Sequence, residues 1–320
     1  MKIDAVITWV DGNDPVHRAK RLKYADPGML ISDDVAGDTR FVEVGEVAWC
    51  VASINRFAPW INKIYIVTDA QDPKLESFME RNFPDGHIPM EIVDHKVIYR
   101  GYEDYIPTFN ASSIEAITWR IPGLSDHFIE FNDDLMLNQP LSISDFFTDD
   151  GNPVCYAGKA NIPFTMFTRL FKIKAGGRKK VTFKGVQCNA ARLGGARWSF
   201  LKTNHTPKAL RRDFYEKYYE EHPDNLIRNI RCRFRDPDMY ISSLLQYTIL
   251  ERQRKCIVKP VKGNLFYMQP NGKPGYVQKK LDILKSNNFK FICFNSIDKA
   301  EPEELDLVKQ FVQSKLNITL

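Results

Sequence analysis

Four apolar runs, each stopping at a carboxylate, restrict this chain more than any other feature. Ile3 to Val10 (IDAVITWV) is apolar at nearly every position, as a strand buried on both faces of a parallel sheet must be. It stops at Asp11-Gly12-Asn13-Asp14-Pro15, a turn sequence crowded with acids. Lys63 to Thr68 (KIYIVT) stops at Asp69, Met90 to Val93 at Asp94, and His127 to Phe131 (HFIEF) at Asn132-Asp133-Asp134. Helical periodicity fills the gaps. Glu43 to Phe57 sets Val44, Val47, Ala48, Val51 and Ile54 on one face and ends before Pro59. Pro73 to Phe83 reads as a short helix with proline in its first turn, and Asn110 to Ile121 as a helix capped by Asn110. The order β-α-β-α-β-α-β predicts an α/β fold with a doubly wound, mostly parallel sheet.

The rhythm breaks after residue 150. Between 151 and 203, Gly176-Gly177 and Gly194-Gly195 alternate with basic and aromatic residues and predict an irregular insertion. Helices resume from Pro207 to Glu221, and Asp236-Pro237 reads as N-cap and first residue of a long helix to Arg254. Asn288 to Phe294 is a further strand. Glu301 to Leu316 closes the chain as an amphipathic helix with Leu305, Val308, Val312 and Leu316 inward. Three regions are expected: a core over 1–150, a basic insertion over 151–203, and a helical part over 204–320.

No apolar run approaches the roughly 18–20 residues of a spanning helix, and the N-terminus lacks a signal-peptide pattern. The six cysteines are scattered without a CxxC pair, so free thiols in a reducing, cytoplasmic compartment are expected and a zinc site is not. The net charge of +5 hides a sharp division. From Gly151 to Arg212 there are 14 Lys and Arg and no acid, leaving 31 basic against 40 acidic residues elsewhere, a net of −9. That separation implies an anionic partner on one side. No nucleic-acid motif accompanies it, so no nucleic-acid partner is expected.

Ligands of open α/β sheets bind beyond the carboxyl ends of the strands, so acids there are candidates for holding a metal and, through it, a phosphorylated ligand. Asp11, Asp133 and Asp134 are the candidates for Mg²⁺ or Mn²⁺. Asp69 and Asp94 serve equally well as turn formers or helix caps. His205, in Asn204-His205-Thr206-Pro207 and expected just before a helix, suits a general base or a phosphate contact. Arg231, Arg233 and Arg235 run into the expected helix start at Asp236-Pro237, where guanidinium groups and exposed backbone N–H groups would bind phosphate together. The competing reading of each is a solvated surface charge.

Four blocks in order resemble the Stealth family of sugar-1-phosphate transferases, bacterial capsular and exopolysaccharide enzymes related to the eukaryotic lysosomal N-acetylglucosamine-1-phosphotransferase. They are IDAVITWVDGNDP; the stretch from Arg40 to Phe147 with PTFNASSIEAITWRIPGLSDHFIEFNDD; NHTPKALRRD through FRDPDMYIS; and FICFNSIDKAEPEE. The resemblance implies a nucleotide-sugar-binding, glycosyltransferase-like core. It implies transfer of a hexose-1-phosphate from a nucleotide-diphosphate sugar, commonly UDP-linked, to a sugar hydroxyl, releasing the nucleoside monophosphate. By resemblance, Asp11, Gly12, Asn110, Asn132 and Arg233 line the donor, and Asp11, Asp133 and Asp134 hold the metal. His205 is then the base and Arg235 the main phosphate clamp, with Asp133 catalytic. The chain departs from the family with Ala111 where serine is common and with FRDP in place of RFRSP.

The insertion is the expected acceptor region, with Arg178, Lys179 and Lys180 meeting an anionic polysaccharide or lipid-linked oligosaccharide. Peripheral association with the inner membrane is a further expectation. Two other functions compete: a conventional metal-dependent glycosyltransferase, which would release a nucleoside diphosphate, and a polyanion-binding protein without catalysis.

Overall fold

Ile3, Ala5 and Ile7 project to one side of the first strand, β1 (Ile3–Thr8), and Asp4, Val6 and Thr8 to the other. All six are buried, so β1 lies at the centre of a sheet covered on both faces. The structure, a computed structural model, describes residues 1–25, 44–170 and 181–320. Arg178, Lys179 and Lys180 lie outside the described residues. Strands β2 (Ile64–Thr68), β3 (Met90–Asp94) and β4 (His127–Asn132) join β1 in the order β3-β2-β1-β4, every pairing parallel. The direction of winding therefore reverses between β1 and β4, which is where a crevice opens beyond the strand ends. The expected doubly wound sheet is present.

Helices Glu46–Phe57, Glu76–Asn82 and Pro302–Leu316 cover one face, and Ala111–Glu115, Phe183–Leu193, Arg212–Glu221 and Ser242–Arg252 the other. The closing helix starts with Pro302 at its first turn and buries Val308, Val312 and Leu316 completely. Such side chains contribute about 1.5–3 kcal/mol each by leaving water.

Beyond β4 the chain turns at Asp133-Asp134 into β5 (Leu135–Leu137). Next come β6 (Val154–Asn161), β7 (Ser199–Thr203), β8 (Lys208–Arg211), β9 (Ile257–Lys259), β10 (Leu265–Met268) and β11 (Phe291–Phe294). Two further three-stranded sheets result, β10-β11-β5 and β7-β6-β9.

Several expectations are corrected. The described part of 151–203 is not irregular: β6 and β7 pair antiparallel, and helices Ile162–Leu170 and Phe183–Leu193 lie between them in sequence. Pro207 does not open a helix; Lys208–Arg211 is instead an antiparallel edge strand on β4. Pro73 lies outside its helix, which begins at Glu76. Asn110 stands at an N-cap position, but its side chain makes no cap, and the helix it precedes ends at Glu115 before a single 3-10 turn at Thr118–Arg120.

The expected helix from Asp236-Pro237 begins only at Ser242. Three asparagines account for the delay, because they occupy the backbone that a helix would need. Asn110 Nδ2 donates to the Phe234 carbonyl at 3.2 Å, and Asn189 Nδ2 to the Pro237 and Met239 carbonyls at 2.9 and 2.6 Å. Asn229 exchanges two hydrogen bonds with the Tyr240 backbone, at 2.8 and 3.1 Å.

Candidate active site at the junction of three sheets

Asp134 stands where the sheets meet. It follows β4, precedes β5, and its carbonyl accepts from the Phe294 N–H of β11 at 3.0 Å. Its carboxylate oxygens are in unequal surroundings. Oδ2 accepts from Asn295 Nδ2 at 3.2 Å and from the Cys293 thiol at 3.3 Å. Oδ1 is buried with no hydrogen-bond partner. A carboxylate oxygen stranded in this way costs free energy unless a cation or a ligand donor meets it.

His205 arrives from the third sheet, on the link between β7 and β8. Gln187 fixes the end of β7 just before it, exchanging hydrogen bonds with the Thr203 backbone at 3.1 and 2.9 Å. His205 Nδ1 then lies 3.8 Å from Asp134 Oδ2, with the ring centroids of Phe183 and Tyr267 at 6.0 and 5.7 Å from its own. Tyr267 Oη donates to Asn295 Oδ1 at 3.1 Å, so Tyr267, Asn295 and Asp134 form a chain of polar contacts. Burial, helped by the charges near Cys293 and Asp134, pushes the Tyr267 hydroxyl up to about 12 and keeps it a donor.

Asp134, His205 and Cys293 bring their ligand atoms within 4.8 Å of one another, and among the described residues this is the grouping that could hold a metal ion. It shares Asp134 with the expected metal set of Asp11, Asp133 and Asp134. Burial and the Asp134 carboxylate raise the Cys293 thiol well above its ordinary range. The carboxylate, imidazole and thiol of this group are compatible with a divalent cation. Asp133 accepts from the Asp134 N–H at 3.1 Å. Asp11, beyond β1, accepts from the Asn13 N–H at 2.8 Å, and its backbone is held by Gln71 at 2.9 Å in both directions. Gly12 is buried in the same turn.

The other strand-end acids have local roles. Asp69 pairs with Lys20 at 3.0 Å, and Asp94 caps the turn at His95–Ile98. Asn110 is buried and spends its amide on Ser113, Cys232 and Phe234. The Arg233 guanidinium donates to the Asp104 carbonyl at 2.7 Å and lies 4.9 Å from the Tyr24 ring, so it serves the fold first. Arg235 is exposed in the segment that leads to Ser242. The expected helix N-terminus beside these arginines is absent, since the helix begins only at Ser242.

One buried network escaped the reading of the sequence. Glu130, in the middle of β4, lies directly across from Lys208 of β8, whose ammonium is 3.4 Å from Glu130 and 3.1 Å from Glu115. Asn132 Nδ2 reaches Glu115 at 3.4 Å, and Thr118 Oγ1 donates to Glu130 at 3.3 Å. Burial, reinforced by Glu115 against the pull of Lys208, raises Glu130 to about 7, while the two carboxylates raise Lys208. The network ties β4, which leads into Asp133 and Asp134, to β8, which follows His205. A textual signal existed for part of this: Phe128-Ile129-Glu130-Phe131-Asn132 and Phe291-Ile292-Cys293-Phe294-Asn295 share the pattern FIxFN.

Residues 1–26 match the family model described as Stealth protein CR1, conserved region 1, and residues 40–155 match Stealth protein CR2, conserved region 2. The capsular polysaccharide phosphotransferase WcwK of Streptococcus pneumoniae is 30% identical over 99% of this chain and 97% of its own length. The receptor polysaccharide phosphotransferase WefC of Streptococcus oralis is 31% identical over 95% of this chain and 93% of its own. Among solved structures, galactosyltransferase LgtC with donor and acceptor sugar analogs covers 99% of this chain and 96% of that one. At 10% identity and a TM-score of 0.48, the likeness is too slight to carry an argument.

Proposed function

The chain belongs to the Stealth family, and on that footing we propose that it transfers a sugar-1-phosphate from a nucleotide-diphosphate sugar, foremost a UDP-sugar, to a hydroxyl of a growing capsular or exopolysaccharide. The observation that carries this reading is the meeting of His205 and Asp134, 3.8 Å apart, beside the reversal point of the sheet. Attack on phosphorus needs a base for the acceptor hydroxyl and a place for the donor's pyrophosphate charge.

In this reading the acceptor oxygen bonds to the sugar-bearing phosphorus and its proton passes to His205. The bond from that phosphorus to the bridging oxygen breaks, and the nucleoside monophosphate leaves. Asp134, with its stranded Oδ1, is the principal residue for Mg²⁺ or Mn²⁺, with Asp133 and Asp11 lining the same edge. A divalent ion there would neutralise pyrophosphate charge. Arg235 is the main phosphate clamp, with Arg233 beside it. Asn132 and Gly12 border the donor, and Asn110 supports the Arg235 segment from below. Arg178, Lys179 and Lys180 meet the acceptor.

The protein, incubated with Mg²⁺, a panel of UDP-sugars and a capsular oligosaccharide, should release UMP and give a product containing phosphodiester. Release of UDP with a phosphorus-free product would make it a conventional glycosyltransferase instead. Salt-sensitive polyanion binding that survives Asp134→Asn, with no turnover under any condition, would favour the non-enzymatic reading.

A further inference from the structure

Trp198 stands 75% exposed beside the turn that joins helix Phe183–Leu193 to β7. An indole left in water forgoes the burial that a side chain of its size ordinarily finds. Its support is nonetheless rigid. Gly194 packs so closely on helix Ser242–Arg252 that a Cβ there would come within 2.9 Å of Thr248 Cγ2. The Ala196 N–H donates to the Ala191 carbonyl at 2.9 Å, and Arg252 Nη1 to the Gly195 carbonyl, also at 2.9 Å. The Trp198 carbonyl accepts from the Ile162 N–H at 2.9 Å, and the chain enters β7 at the next residue.

Trp198 lines a hollow of about 320 Å³ together with Arg197, Ser199, Glu251 and Arg252. That volume falls within the roughly 300–1,000 Å³ of small-ligand sites. The Arg197 guanidinium, the Trp198 indole and the Glu251 carboxylate make no hydrogen bond or ion pair among the described residues. The hollow therefore offers a carboxylate acceptor, a guanidinium donor, the Ser199 hydroxyl and an aromatic surface together.

The mixture of charges identifies the occupant. A carboxylate in the hollow opposes an anionic ligand, and the guanidinium groups oppose a cationic one. A sugar is neither. Its hydroxyls donate to a carboxylate and accept from a guanidinium, and the apolar C–H face of a pyranose covers an indole. A partner protein needs more surface, since a stable interface takes roughly 20–30 residues a side and nine line this hollow. From these observations we propose that Trp198, Arg197 and Glu251 form a saccharide subsite that holds the acceptor chain away from its reacting end.

β7 separates Trp198 from the turn that carries His205 by about 16 Å, at roughly 3.3 Å per residue. A saccharide at Trp198 reaches His205 only as a chain of several units. The subsite rests on the acceptor named in the reading above, and its binding is measured apart from turnover so that each can fail alone.

The full chain is titrated calorimetrically with size-fractionated fragments of the producing strain's surface polysaccharide, at low and high salt. Trp198→Ala should weaken the binding of long fragments roughly tenfold, and Glu251→Gln and Arg197→Gln each by less. The loss in Trp198→Ala should persist at high salt, because stacking is not screened. Trp198→Phe, which keeps a ring, should recover part of it. These variants should keep the wild-type circular dichroism. Trp198→Ala should raise the KM for long acceptors by a similar factor and leave KM and kcat for short ones unchanged. Equal binding of long fragments by wild type and Trp198→Ala would overturn the subsite, as would failure of the wild type to bind them. An equal rise in KM for short acceptors would overturn its place away from the reacting end. A wild-type dimer that Trp198→Ala converts to monomer would give the hollow to a second copy of the chain instead. Binding that depends on Trp198 without release of UMP would uphold the subsite and sink the transferase reading, and UMP release with binding indifferent to Trp198 would do the reverse.

Discussion

Oδ1 of Asp134 is buried and unpartnered while Oδ2 is satisfied by Asn295 and Cys293, so one atom is available for chemistry and the other holds it in place. Asp134→Asn keeps the shape and removes the charge. It should leave the melting temperature close to wild type and lower turnover by about 10³-fold, and added Mg²⁺ should not rescue it. His205→Ala should cut turnover by roughly 10²–10⁴-fold with little change in donor affinity, the pattern of a lost base. Abolished donor binding with normal saturated turnover would make His205 a phosphate contact. The buried trio behaves differently. Lys208→Met strands Glu115 and Glu130 without their counter-charge and should cost about 3–5 kcal/mol of stability by denaturant unfolding. Glu130 holds its proton more tightly folded than unfolded. Its contribution to stability is therefore complete below about 4.5 and is lost as pH rises through about 7. Glu130→Gln should remove that part of the decline in a pH series of unfolding midpoints. The sequence pointed to Asp134 because an acid beyond a strand end has no packing reason to be there, and to His205 because it lies in the basic region before an expected helix. Glu130 was not, since an acid inside an apolar strand acquires meaning only from the register that puts Lys208 across from it.

Elements with an apolar pattern were legible wherever the pattern alone decided them. The first four strands were found within two residues of their ends, because a buried parallel strand has few other conformations open to it. The misses share a physical cause: side chains far away in sequence took over the backbone. Asp236-Pro237 is a good helix start taken alone, yet Asn110, Asn189 and Asn229 claim the carbonyls from Phe234 to Tyr240. Lys208–Arg211 became a strand because β4 had an unpaired edge and Glu130 needed a cation. These clamps make a prediction at their own scale. Asn229→Ala leaves the Tyr240 N–H and C=O unpaired in the interior and should cost about 1–3 kcal/mol for each group. If Arg235 is the donor clamp, the loosened segment should also raise the KM for the nucleotide sugar more than it lowers kcat. A drop in stability with unchanged donor KM would remove Arg235 from the site.

Across the whole molecule, charge is segregated in a way that no single element explains. The segment from Gly151 to Arg212 carries 14 cations and no acid, and the remaining chain has a net charge of −9. By its own charge this segment attracts an anionic partner more than the rest of the chain does. A phosphotransferase of the proposed kind makes such a partner, because each transfer adds one phosphodiester charge to the acceptor. Longer acceptors should then be held by more contacts than short ones. The triple substitution of Arg178, Lys179 and Lys180 by glutamine removes three of the 14 cations. It should raise the apparent KM for long, charged acceptors several-fold, with short neutral acceptors and the donor scarcely affected. Added salt should mimic the substitution in the wild type and have less effect in the variant, since exposed charges more than about 8–10 Å apart are largely screened at physiological ionic strength. The measurement is initial rate against acceptor length at two ionic strengths. Equal changes for short neutral and long charged acceptors would mean that this run of cations serves the fold or the membrane rather than the polysaccharide.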